Sequence, residues 1–208
     1  MKRTHINKSR LIQLLLNLCG SLENLQAIIS YNWDNIFELV AEEKGLAFCP
    51  IWEGRIRIKP KTIPIYYPHG YVALEGGPVT KLVLAESDYQ KEATEIYSWS
   101  NLIQTQAFCN SVCIFLGTSL VDPNLRRLLR ICLDSRSANH YAFLPSQTPS
   151  SQFEIMRDTL FDHDLNTLGV KVIRFPTTPS FKDQYSRLPR LIDYMRQYLA
   201  DERSIWRK

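Results

Sequence analysis

Six short apolar runs alternate with segments of helical periodicity, and this alternation limits the fold more than any other feature of the chain. The runs occupy residues 25–30, 63–68, 80–85, 111–116, 140–144 and 170–175, each rich in Val, Ile, Leu, Phe or Tyr. A strand exposed on one face alternates polar and apolar residues, whereas a strand covered on both faces reads as a nearly continuous apolar stretch. Covered strands separated by amphipathic helices predict an α/β fold with a mostly parallel sheet and helices on both faces. Residues 54–59 (GRIRIK) do alternate, and read as an edge strand or hairpin arm.

The helices between the runs have legible ends. Leu11, Leu14, Leu15 and Leu18 share one face of a first helix over about residues 8–18. Gln13 and Asn17 interrupt this apolar block, which separates it from a secretory leader despite the basic start. Ser87 with Gln90 forms a capping-box pattern opening a helix to about Ala107, with Ile96, Trp99 and Ile103 on its apolar face. Asp122 followed by Pro123 is an N-cap and first-turn pair, and the helix after it buries Leu125, Leu128, Leu129 and Cys132. Phe153 to Leu168 reads as a helix closed by Gly169. A last helix from about Leu188 to Leu199 carries Leu188, Leu191, Ile192 and Met195.

Composition excludes several function classes. With 208 residues, 45% of them hydrophobic and 22% charged, the chain suits one globular domain. No apolar run is long enough for a membrane span, so a cytoplasmic protein is expected. The net charge is 25 − 21 = +4, and the basic clusters at 124–130 and 202–208 are short. They read as a solvated helix face and a charged tail, so nucleic-acid binding is not expected. Cys19, Cys49, Cys109, Cys113 and Cys132 are odd in number and irregular in spacing, with no C-x-x-C pair. That pattern predicts free thiols, and neither a disulfide framework nor a zinc site.

Ligands of parallel α/β sheets bind at the carboxyl ends of the strands, so the residues after each apolar run are the candidates. Three strand ends stand out: Asn32-Trp33-Asp34, His69-Gly70, and Gly117-Thr118-Ser119. Each has a structural reading. Asn32 and Asp34 suit an Asx turn or a cap for a helix starting near Asp34. His69 suits a hydrogen-bonded histidine, and Gly-Thr-Ser is common loop chemistry. Taken together they suit a hydroxyl-rich ligand bearing a phosphate, with one titratable base near neutral pH.

In order and spacing these motifs resemble those of sirtuins and sirtuin-like domains. IISYNWDNIFE resembles the family's T-x-N-x-D motif, YYPHGYV its His-Gly motif, and CIFLGTSLVDPNLRRLL its G-[TY]-S-L segment. KLVLAESDYQ (81–90) resembles the short strand and E-x-x-Y of sirtuin-like bacterial defence proteins. The motifs fit from about residue 25 to 131, and the alternation of elements fits to about 200. The resemblance implies a Rossmann-like fold that binds NAD and breaks the bond between nicotinamide and ribose. By motif, Asn32 would orient the ribose or the attacking water, Asp34 would contact the carboxamide, and His69 would be the general base. Gly70 would belong to the same cofactor-binding loop, and Gly117, Thr118 and Ser119 would line the phosphate and adenosine-ribose side.

Two departures shape the expectation. The family's first strand and its Gly-Ala-Gly-x-Ser loop have no counterpart before Leu25, where the only glycine is Gly20. The chain therefore reads as one sirtuin-like domain over 1–208, a helical segment at 1–24 followed by an α/β core at 25–200, that starts late. Another segment replaces the loop, a partner supplies it, or NAD binding is impaired. The four-cysteine zinc module of protein-deacylating sirtuins is also missing. The expected function is thus NAD glycohydrolysis to nicotinamide and ADP-ribose, without metal, in bacterial anti-phage defence. A catalytically impaired nucleotide-binding or assembly subunit is the alternative, and NAD-dependent deacylation the third. An exposed sheet edge makes a homo-oligomer an expected assembly, and the resemblance to defence proteins implies a defence-complex partner as the other.

Overall fold

A computed structural model describes residues 10–22, 24–74, 76–77, 79–80, 82–135, 138–147, 151–177 and 187–206. The chain is α/β, a Rossmann-like arrangement of parallel strands and helices, as the apolar runs predict. It forms two compact units: the chain up to Tyr89 together with Pro189 onward, and Gln90–Leu188.

In the first unit, helix α1 (Arg10–Ser21) precedes strand β1 (Ile28–Ile29), helix α2 (Ile36–Glu43), strand β2 (Phe48–Ile51) and strand β3 (Ile63–Tyr66). The three strands form a parallel sheet in the order β1-β3-β2. Ile28 and Ile29 pair with Ile65 and Tyr66, while Phe48–Ile51 pair with Ile63–Tyr66. Two clusters hold this unit. Leu16, Val40 and Ala41 pack with Ile12, Ile36, Phe37 and Phe48, and Ile65, Tyr67 and Tyr71 pack with Ile28, Phe37 and Trp52. The most buried residues of α1 are Leu16 and Leu18, so the helix turns a somewhat different face inward than Leu11, Leu14 and Leu15 suggest.

Three expectations in this unit are corrected. The first run shortens to Ile28–Ile29, with Ser30 N–H adding one bond to Tyr66 O at 2.8 Å. Residues 54–59 form neither an edge strand nor a hairpin arm. β2 and β3 are parallel, so the chain must travel back along the sheet between them, and residues 52–62 make that return. The edge strand on that side of β3 is instead β2, which contains Pro50. Ala47 and Ile51 carbonyls accept from the N–H groups of Ile63 and Tyr67 at 3.1 and 2.8 Å, which turns the nitrogen of Pro50 to the outer edge, where no ladder bond is lost. The described residues of 80–85 likewise form no strand: the pairing there includes an isolated bridge of Val72 with Val79, Thr80 N–H to Tyr71 O at 3.0 Å and Val83 N–H to His69 O at 2.9 Å.

Helix α3 (Glu86–Thr94) begins in the first unit and ends in the second, where α4 (Trp99–Asn110) follows. One helix from Ser87 to Ala107 is expected, and two are found. Ser98 caps α4 by accepting from Asn101 N–H at 3.3 Å. The fully buried Asn101 amide donates to the carbonyls of Glu92 and Glu95 at 2.8 and 3.0 Å, taking up the end of α3. Ile96, placed by its spacing on the apolar face, is left exposed at the break. Nor does Ser87 cap α3. Asp88 reaches back to accept from Leu84 and Ala85 N–H at 3.1 and 3.0 Å.

The second unit continues with strand β4 (Ile114–Leu116), helix α5 (Pro123–Ile131), strand β5 (His140–Gln147), helix α6 (Gln152–Thr167) and strand β6 (Val170–Thr177), in a parallel sheet ordered β4-β5-β6. The cap at Asp122 and the buried face of Leu125, Leu128, Leu129 and Cys132 are as the sequence predicts. α6 opens with a capping box of Ser151 and Glu154, and Gly169 closes it at φ +67°. The fully buried His140 packs against Phe108 and Phe115, and its Nδ1 accepts from Cys113 N–H at 3.1 Å. Arg174 ties β6 to α6 through Asp162 at 2.5 Å and Asp158 at 3.5 Å. Helix α7 (Leu188–Trp206) is the last described element and buries Leu188 and Ile192. All five cysteines are free. No helix among the described residues is long and apolar enough to cross a membrane.

Candidate functional site

The first unit brings two of the three predicted strand ends together. β1 and β3 are adjacent and parallel, so the loops leaving their carboxyl ends emerge side by side. The chain after β1 places Asn32 and Trp33 at the surface and Asn35 in the interior. The chain after β3 turns at Tyr67–Gly70, where Gly70 N–H bonds Tyr67 O at 3.2 Å and Gly70 has φ +98°, a conformation that favours glycine.

His69 is buried, only 6% exposed, between two phenol rings: Tyr31 at 5.1 Å and Tyr89 at 5.3 Å. Tyr31 comes from the Asn32 loop, and Tyr89 is the tyrosine of the E-x-x-Y stretch. The two loops are also tied through the backbone. Val72 N–H donates to Trp33 O at 2.7 Å, and Asp34 and Val72 form a parallel bridge. Trp33 contributes this carbonyl but is itself 37% exposed, and an aromatic from this loop that packs against the histidine is Tyr31.

Asp34 forms the Asx turn that opens α2, its Oδ1 accepting from Ile36 N–H at 3.2 Å. Asn35 stands at the N-cap of α2 without capping it. Its Oδ1 accepts instead from Leu74 N–H at 3.0 Å, beyond the His-Gly turn, and its side chain also bonds the Tyr71 phenol. One turn along α2, Glu38 Oε2 accepts from the Tyr67 hydroxyl at 2.6 Å. Among the described residues, Glu38 Oε1 is buried without a hydrogen-bond partner. Burial pushes the Glu38 carboxyl above its ordinary range, partly opposed by the Tyr67 hydrogen bond. Burial, and then the charge of Glu38, push the Tyr71 phenol up to about 12. Tyr67 is displaced upward for the same two reasons.

Asn35, Glu38, Tyr67 and Tyr71 are the members of this site that the motif reading misses. One signal was present: Tyr67 and Tyr71 stand two residues either side of His69, and Glu38 is an acid on the otherwise apolar start of α2.

The third strand end lies in the second unit and forms a loop of its own. Gly117 has φ +70°, and a Cβ there would meet nothing within 4 Å, so conformation rather than crowding calls for glycine. Thr118 Oγ1 faces Leu120 N–H at 3.5 Å, and Leu120, 1% exposed, has φ +55°, which is strained for a residue with a side chain. Arg126 stabilises the turn by donating to Leu120 O at 3.1 Å, and it also pairs with Asp164. Gly117 and Ser119 are exposed. Asp122 accepts from Asn124 and Leu125 N–H at 2.8 and 3.4 Å. The first donors of α5 are thus occupied, which leaves the Gly117–Ser119 backbone as the part of this strand end suited to an anion.

A buried, ring-flanked histidine beside an Asn-x-Asp loop, and a Gly-Thr-Ser loop after a parallel strand, occur here in the order seen in sirtuin-like domains. The model of the SIR2-like domain family matches residues 26–168, and the chain belongs to that family. The family is associated with NAD, and all three motif loops fall inside the matched stretch. No curated protein matches the chain.

Proposed function

We propose that this chain is a sirtuin-like NAD glycohydrolase, releasing nicotinamide and ADP-ribose in the cytoplasm as part of bacterial anti-phage defence. The observation that carries the reading is His69, buried between Tyr31 and Tyr89 and tied to the Asn32–Asp34 loop through Val72 and Trp33. A histidine on the loop next to an amide and a carboxylate suits removal of a proton from a ribose hydroxyl or from water.

In the reaction the C1′–N bond of NAD breaks and its electron pair leaves with neutral nicotinamide. The oxygen of water bonds C1′, and His69 takes the proton that this water loses. The ribose carries oxocarbenium character at the transition state, so positioned dipoles serve it better than a strong nucleophile. Asn32, exposed at the rim, orients the nicotinamide ribose or the water. Asp34, its carboxylate steadied by the Asx bond to Ile36, accepts from the carboxamide N–H. Gly70 gives the turn its required φ, and the Gly117–Ser119 loop supplies backbone N–H groups for the phosphate and adenosine-ribose side.

The test is release of nicotinamide from NAD by the purified chain, followed by chromatography, for the wild type and His69→Ala. Loss of turnover in the variant is expected, and full activity rejects His69 as the base. A wild type that binds NAD by calorimetry without turning it over replaces this reading with a non-catalytic nucleotide-binding subunit. Nicotinamide release only in the presence of an acylated peptide replaces it with deacylation.

A further inference from the structure

Tyr67 and Tyr71 stand two residues before and two residues after His69, and both phenols are hydrogen-bonded to polar side chains at the start of α2. Tyr67 donates to Glu38 at 2.6 Å, and Tyr71 bonds Asn35. Asn35 holds the same loop a second time, accepting from Leu74 N–H at 3.0 Å. The two phenol rings meet edge to face at 4.9 Å, and Tyr71 stacks on Trp52 at 4.6 Å. The His69 ring packs elsewhere, against Tyr31 and Tyr89. The turn carrying the histidine is thus anchored on both sides by one short stretch of helix, and that helix grows directly out of the Asn32–Asp34 loop.

We propose that Glu38 and Asn35 are positioning residues: through Tyr67 and Tyr71 they fix the His69 turn against the Asn32–Asp34 loop, so that histidine, amide and carboxylate hold one geometry. The proposal rests on the NAD-hydrolase reading for its catalytic consequence, but not for the geometry itself. Hydrophobic packing alone would bury the tyrosines equally well as phenylalanines. It would not explain why a carboxylate is taken out of water to meet one hydroxyl, since burying an acid costs stability unless the bond it makes is used. A displacement of about 1 Å at a reacting group costs on the order of a hundredfold in rate, so a brace of this kind acts on turnover more than on binding.

The experiment compares Tyr67→Phe, Glu38→Ala and Glu38→Gln in the full chain, with two readouts. The first is kcat and KM for NAD. The second is the His69 imidazole resonance in isotope-labelled protein, identified by its loss in His69→Ala. Tyr67→Phe and Glu38→Ala are expected to lower kcat by about tenfold to a hundredfold with KM little changed, and to shift or broaden the resonance. Glu38→Gln keeps an oxygen to accept from Tyr67 and is expected to restore both. Wild-type kcat and an unmoved resonance in Tyr67→Phe overturn the proposal, as does a loss that appears in KM alone. If the wild type does not hydrolyse NAD, the hydrolase reading falls and the resonance decides the brace. Movement in Tyr67→Phe that Glu38→Gln does not show supports it, and no movement overturns it.

Discussion

The His69 turn and the Gly117 loop both follow parallel strands, yet they are held in opposite ways. The Gly117 loop is stabilised by its immediate neighbours: Thr118 faces Leu120, Asp122 caps Asn124, and Arg126 reaches Leu120, all within six residues. The His69 turn is held from a distance. Tyr67 meets Glu38 across 29 residues, and Leu74 meets Asn35 across 39. A locally closed loop keeps its shape wherever the motif is written. A loop braced from a distant helix keeps its shape only when the whole unit is folded, so its function depends on packing that lies outside the motif.

That contrast can be broken most sharply at the histidine. His69→Ala is expected to reduce NAD hydrolysis by more than about a hundredfold, measured by nicotinamide release, and to lower the thermal midpoint as well, because it empties the place of a buried ring. Comparable residual activity would mean that the braced turn carries no base.

The next largest effects belong to the strained loop. Leu120→Ala removes a buried side chain and is expected to cost about 2–5 kcal/mol in denaturant unfolding. Leu120→Gly removes the same contacts and relieves φ +55°, so it should be no less stable than the alanine variant. Alanine the more stable of the two would show that the loop is not strained at this position. Gly117→Ala meets open space and pays for backbone conformation alone, about 1 kcal/mol. Asp122→Ala loses the α5 cap at a similar cost of about 1 kcal/mol. Neither change should move the His69 resonance, because their bonds are local.

The smallest effect separates the regions by pH. The folded-state pKa of Glu38 is raised above its ordinary value of 4.5, so the folded protein holds the proton over a range where the unfolded chain has lost it. This contribution to stability is fully present below 4.5 and is lost as pH rises through the folded-state pKa. Glu38→Gln should flatten the profile of stability against pH in that window. An unchanged slope would mean that the carboxyl is not held in its buried setting.

Much of this protein was legible without coordinates. The parallel α/β class, the Asp122 cap, the Gly169 stop and the three motif loops are written in periodicity, capping residues and short spacings, all of which act within a few residues. Folding alone decided the rest. β2, which is not among the apolar runs, formed as an edge strand that tolerates Pro50, and the single helix from Ser87 broke because the buried Asn101 takes carbonyls from the end of α3. The Asp34 carboxylate chose the turn among its possible roles, while Asn35, beside it, bonded to a loop 39 residues away. Local interactions compete on equal terms in the unfolded chain and so leave a mark in sequence. Long-range hydrogen bonds form only once loop-closure entropy has been offset by core packing, and no spacing announces them. The motif residues were therefore determined by the sequence itself, and what holds His69 in place was decided by the tertiary structure.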